Sequence, residues 1–238
     1  MGIMGTRAIK QNVLELLNRD NLSDIQDKLD KLQEKEVVNA LFSAICRAEE
    51  RIRWHAVSAM GVAVARLADK DIEEGRIIFR RMLWSLNDES GGIGWGVPEA
   101  MAEIMCLHKR LADEYTHMLI SYMRPDGSEN WQDGNFLEHE SLQRGLMWAA
   151  GRMAQCHRLL LLEKGMDCDL PPYLDSPDDA VCGLAVRATG LLGRTVRLDR
   201  VRELSTASDR MLRLYENGTF STVSVAALAD QALERVEG

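Results

Sequence analysis

From residue 36 onward, apolar residues recur at every third or fourth position, in segments broken by polar or glycine-bearing stretches. That spacing marks one face of an amphipathic helix. It is legible in EVVNALFSAICRA (36–48), EEGRIIFRRMLWSL (73–86), LADEYTHMLISYM (111–123) and VRELSTASDRMLRLY (201–215), each read as a first helix. After these come five segments that align without gaps: RWHAVSAMGVA (53–63), GWGVPEAMAEI (94–104), QRGLMWAAGRM (143–153), CGLAVRATGLL (182–192) and STVSVAALADQ (221–231). Each has alanine in one register, at Ala59, Ala100, Ala149, Ala188 and Ala227. Two residues on stands a Gly or Ala: Gly61, Ala102, Gly151, Gly190 and Ala229.

These small positions are 41, 49, 39 and 39 residues apart, close to the period of helix-pair repeats. Glycine inside a helix costs roughly 1 kcal/mol relative to alanine. Its return in one register therefore points to tight contact between neighbouring helices, each unit burying its apolar face against the next. The expected fold is all-α: an α-α superhelix of about five helix pairs in one domain, 1–238. Residues 6–34 form an N-terminal helical cap with Ser23 as an N-cap, and the repeats run over 36–236. Gly165, Pro171 and Pro172 break the first helix of the fourth pair. The aligned segments resemble PBS-lyase-type HEAT repeats, whose second helices carry an Ala-rich stretch ending in a small residue. DESGGIGWGVPEAMAEI and GNFLEHESLQRGLMWAAGRMAQ are more specifically similar to an uncharacterised family of bacterial HEAT-repeat proteins. The resemblance implies a fold and no activity, and bilin chemistry is not transferred.

Composition narrows the function classes. Hydrophobic residues are 46%, charged residues 28% and aromatics 5% of 238, a balance that favours a globular helical chain. The net charge is −8 and no Lys/Arg-rich run occurs, which argues against nucleic acid as a partner. Cys46, Cys106, Cys156, Cys168 and Cys182 are odd in number and form no CxxC pair, so free thiols in a reducing compartment are expected. With no signal peptide and no apolar run near 20 residues, the expected location is cytoplasmic, without a membrane role. MGIMGT fits an N-myristoylation pattern only formally, and the sequons at Asn21 and Asn217 carry no weight in a cytosolic chain.

Two connections are oversized: residues 87–97, with Asp88, Glu89, Ser90 and Trp95, and residues 124–140, with Trp131, Asp133, Glu138, His139 and Glu140. Insertions along one edge of a repeat array often mark its binding face. Pro98 and Glu99 suit the first turn of the helix that follows the first loop. On the second helices, one stripe reads Trp54/Ser58/Val62, Trp95/Glu99/Glu103, Arg144/Trp148/Arg152, Gly183/Arg187/Leu191 and Thr222/Ala226/Asp230. The candidate binding residues are Trp54, Trp95, Glu99, Glu103, Trp131, Arg144, Trp148 and Arg152, because Trp and Arg are over-represented at hot spots. The plainer alternative is interhelix ion pairing with tryptophans filling space.

Chemical motifs are sparse. Glu138 and His139 are the candidate metal ligands, with Asp88, Glu89 and Asp133 as outside partners. A helix start is the simpler reading of LEHE. No G-x-S-x-G, P-loop or dinucleotide-binding pattern occurs. The expectation is a non-catalytic binding or scaffold protein with a protein partner and no cofactor. The alternative is an enzyme or metal-dependent activity at the edge formed by 88–95 and 131–140.

Overall fold

The computed structural model describes residues 6–87, 94–125, 127, 134–207 and 209–237. The chain divides into two compact units, residues 1–111 and 112–238, with the division inside one helix.

The first unit opens with α1 (Thr6–Leu17) and α2 (Leu22–Leu29). The side chain of Asn21, not Ser23, caps α2 by accepting from the Asp24 amide at 3.0 Å. Asn21 has the extended backbone that an N-cap needs, while Ser23 already lies inside the first turn. Two helix pairs follow: α3 (Glu34–Ile45) with α4 (Glu50–Lys70), and α5 (Ile72–Leu86) with α6 (Val97–Leu107). The second helices pack on each other. A β-carbon at Gly61 on α4 would lie 2.8 Å from Cβ of Glu103 on α6, so only glycine lets the two backbones come this close. The core is a layer of fully buried side chains that includes Leu41, Ile45, Met60, Phe79, Met101 and Ile104.

α7 (Lys109–Ser121) crosses the division. The second unit continues with α8 (Glu140–Glu163), the one-turn α9 (Met166–Asp169), a 3₁₀ turn at Pro171–Asp175 and α10 (Asp179–Leu192). The break expected at Gly165, Pro171 and Pro172 is therefore present; α8 itself kinks at His157, so a short helical piece over 158–163 and these turns stand in place of the fourth pair's first helix. α11 (Leu198–Ala207), strands β1 (Met211–Glu216) and β2 (Thr219–Ser224), and α12 (Val225–Glu237) complete the chain. The second helices α8, α10 and α12 stack in series. A β-carbon at Gly190 on α10 would meet Ala232 Cα of α12 at 2.7 Å.

Ala59, Ala100, Ala149 and Ala188 are all fully buried, as the register demands. The fifth repeat departs from it. Ala227 is only half-buried, residues 221–224 are strand, and the helix expected over 201–215 gives way to β1 after Ala207. The cause is local. Asn217 and Gly218 have φ of 50° and 82°, which makes a two-residue turn of the hairpin-favouring kind. β-branched and aromatic residues flank it, and β1 and β2 pair antiparallel from Glu216↔Thr219 to Met211↔Ser224. The all-α expectation holds for the repeats, with this hairpin inserted. The free-thiol expectation is met at Cys46, Cys168 and Cys182 and overturned at Cys106 and Cys156, both of which are disulfide-bonded. No described helix is long and apolar enough to cross a membrane.

Candidate functional site

In the first unit the candidate residues gather around the start of α6. Gly96 caps that helix with φ 74°, and a β-carbon there would lie 2.5 Å from the Ile45 carbonyl oxygen. The turn is thus wedged against the end of α3 in a conformation that glycine adopts without strain. Pro98 sits in the first helical turn, where its missing N–H is no loss. Trp95, just before the cap, is half-buried, as are Trp54 on α4 and Glu103 on α6.

Glu99 behaves otherwise. It is only 7% exposed, and among the described residues its Oε2 has no hydrogen-bond partner. Burial pushes its carboxyl up to about 7, partly offset by its own backbone amide and by the Arg53 guanidinium. The buried Nε of Arg53 likewise has no partner among the described residues. Burial also raises the Cys46 thiol, and the nearby Glu99 charge adds to that shift. A carboxyl in such a place is a local source of instability when ionised.

In the second unit the stripe Arg144/Trp148/Arg152 runs along a seam that the hairpin covers. Trp148 is 4% exposed, and its Nε1 donates to the Tyr215 carbonyl oxygen at 2.9 Å. It is a core side chain with its polar edge satisfied, so it drops out of any accessible face. Arg144 is exposed and chelates Asp178, with Nε 3.1 Å from both carboxylate oxygens. Asp178 in turn caps α10 by accepting from the Val181 amide at 2.9 Å. Partial burial raises the Asp178 carboxyl, but Arg144 and the backbone amides of Val181 and Ala180 outweigh it and hold the group below its usual range.

Arg152, half-buried, donates to Cys156 Sγ at 3.2 Å. Next to it, above Gly151, lies the guanidinium of Arg187, 9% exposed and paired with Glu216. Gln155 Nε2 also donates to Glu216 Oε1, at 3.2 Å. Burial pulls the Arg187 pKa down, Glu216 opposes this, and the charges of Arg235 and Arg152 add to the lowering. Neither Tyr215 nor Glu216 was expected as a partner, because Tyr215 ends the segment 201–215 read as helix and Glu216 lies in the connection after it. The Asn217-Gly218 dipeptide between alternating residues was the signal for a hairpin.

One of the two metal candidates, His139, caps α8, its Nδ1 accepting from the Ser141 amide at 3.2 Å, and the other, Glu138, is exposed beside it. No cluster of three metal-ligating side chains occurs among the described residues. Trp131, Asp88, Glu89, Ser90 and Asp133 lie outside the described residues.

No sequence family and no curated protein matches the chain. Solved structures do. A designed armadillo repeat protein shares 17% identity over 96% of this chain and 99% of its own, at a TM-score of 0.51. Another designed armadillo repeat protein, solved in complex with the peptide (KR)4, shares 18% over 96% and 99%, at 0.52. An engineered protein shares 12% over 96% of each chain, at 0.54. At such identities the likeness speaks for fold alone. With the stacked second helices and their small-residue register, it gives this chain an armadillo-like helical repeat fold.

Proposed function

We propose that this protein is a non-catalytic binding scaffold, and that the second helices of its repeats present the surface that takes a protein segment. The observation that carries the reading is the stacking of second helices through glycine contacts, in a fold shared with a designed protein solved around a peptide. Such stacking sets side chains of successive repeats in parallel rows, which suits an extended ligand. The side chains that retain access are Trp54, Trp95 and Glu103 in the first unit, and Arg144 and Arg152 in the second. Aromatic and Arg side chains that are partly covered yet reachable are typical anchors. Glu99 and Trp148 are buried and are not part of this surface. Trp131 is retained as a candidate from the sequence alone. We further propose that residues 1–238 act as one domain.

The test is selection of displayed random peptides on immobilised protein, followed by affinity measurement with Trp54→Ala and Arg152→Glu. Retained peptides that these variants no longer bind, at unchanged melting temperature, support the reading. Peptides that bind both variants as well as the parent chain remove these residues from the surface.

A further inference from the structure

The hairpin leaves one strand edge open. Its register alternates, and the narrow hydrogen-bonded pairs begin at Glu216↔Thr219 beside the two-residue turn. The bond from the Val225 amide to the Arg210 carbonyl at 2.9 Å, just past the far end of the strands, fits the same alternation. Residues 219, 221 and 223 therefore bond inward to β1, while Phe220, Thr222 and Ser224 turn their main-chain groups away. On β1 the corresponding outward carbonyl, that of Tyr215, is occupied by Trp148 Nε1. On β2, neither the amides nor the carbonyls of Phe220 and Thr222 are bonded among the described residues.

That edge lacks the usual protection. Exposed edge strands are normally blunted by Lys, Pro or a bulge. The run NGTFSTVS (217–224) contains no ionisable residue and no proline, and its pairing with β1 is unbroken. Thr219, Ser221 and Thr222 are exposed. Phe220 is held flat on its own sheet by Tyr215, ring centroids 5.1 Å apart, and by the Arg213 guanidinium 4.8 Å from its ring. It does not fold over the edge.

We propose that the free edge of β2 is a self-association surface, pairing antiparallel with β2 of a second copy of this chain about a two-fold axis through Ser221. The segment is complementary to itself in that register. Phe220 faces Thr222 of the second copy and Thr222 faces its Phe220, so both outward residues exchange their amides and carbonyls and four main-chain bonds form. Ser221 faces Ser221 in the wide pair between them, where no charge opposes a like charge. A charged foreign strand would gain no side-chain partner along this edge, whereas a second copy satisfies it fully. An isologous contact of this kind closes on itself and stops at a dimer.

Light scattering over a dilution series of the full chain tests the pairing. The parent chain is expected to show a species of twice 26.8 kDa that dissociates on dilution. Thr222→Pro removes an outward amide and no bond to β1, so it should give monomer at every concentration with an unchanged melting temperature. Ser221→Cys gives a second readout. A wide antiparallel pair brings its two Cα atoms to about 4.5 Å, within disulfide range. With the exposed Cys168 replaced by Ser in both chains, mild oxidation should crosslink Ser221→Cys into a covalent dimer that the chain without it does not form, and adding Thr222→Pro should suppress it. A parent chain that is monomeric throughout overturns the proposal, as does a Thr222→Pro chain that still dimerises. Capture of an unrelated strand by a chain that stays monomeric also counts against it.

Discussion

Glu99 is a buried carboxyl, one of its oxygens without a partner among the described residues, and its pKa is raised to about 7 from the ordinary 4.5. The folded pKa exceeds the unfolded one. Its contribution to stability is therefore complete below about pH 4.5 and is lost as the pH rises through 7. The loss is about 3 kcal/mol in all. The melting temperature should fall between pH 5 and 8, and Glu99→Gln should flatten that fall and raise the value at pH 8. Calorimetry across this range checks both. The identity of Glu99 as a special residue was legible in the stripe, but its burial was not, because its neighbours Arg53 and Cys46 come from other helices. The small-residue register was legible, because close helix contact demands it wherever the helices meet. Gly190→Ala tests it. Alanine gains roughly 1 kcal/mol in helix propensity. The added carbon meets Ala232 backbone at 2.7 Å, and overpacking of this sort costs roughly 1 to 3 kcal/mol. Denaturant unfolding should therefore show a net loss at Gly190 and a similar one at Gly61.

Among the elements, the hairpin decides what the second unit's stripe does. Helix periodicity placed Arg144, Trp148 and Arg152 on one face correctly, and α8 carries all three. It could not say what lies over that face, since the covering element was itself misread as helix. Alternation in RMLRLYENGTFSTVSV has period two, and Asn217-Gly218 fixes the turn, so the strand signal was present but outvoted by the repeat alignment. With Tyr215 accepting from its indole, Trp148 is predicted to serve stability. Trp148→Ala should cost roughly 3 to 5 kcal/mol, read from chemical denaturation. Arg144→Ala removes an exposed partner of Asp178 and should cost no more than about 1 kcal/mol. Equal, small losses for the two would mean that the hairpin does not cover Trp148 in solution.

Over the whole molecule, the repeat period and the helix content were readable because each repeat solves the same packing problem with the same residue types. The two long connections were readable only as insertions, and most of their residues, Trp131 included, lie outside the described part. A one-domain chain should unfold in a single calorimetric transition, and two separated transitions would assign the units 1–111 and 112–238 independent stability. The central claim, a binding scaffold working through its second helices, meets its most direct test in the affinity of a selected peptide measured by fluorescence anisotropy. The account predicts that Trp54→Ala or Arg152→Glu weakens binding by roughly thirtyfold or more, at unchanged melting temperature. Affinity equal to that of the parent chain in both variants, or no peptide retained at all, would contradict it.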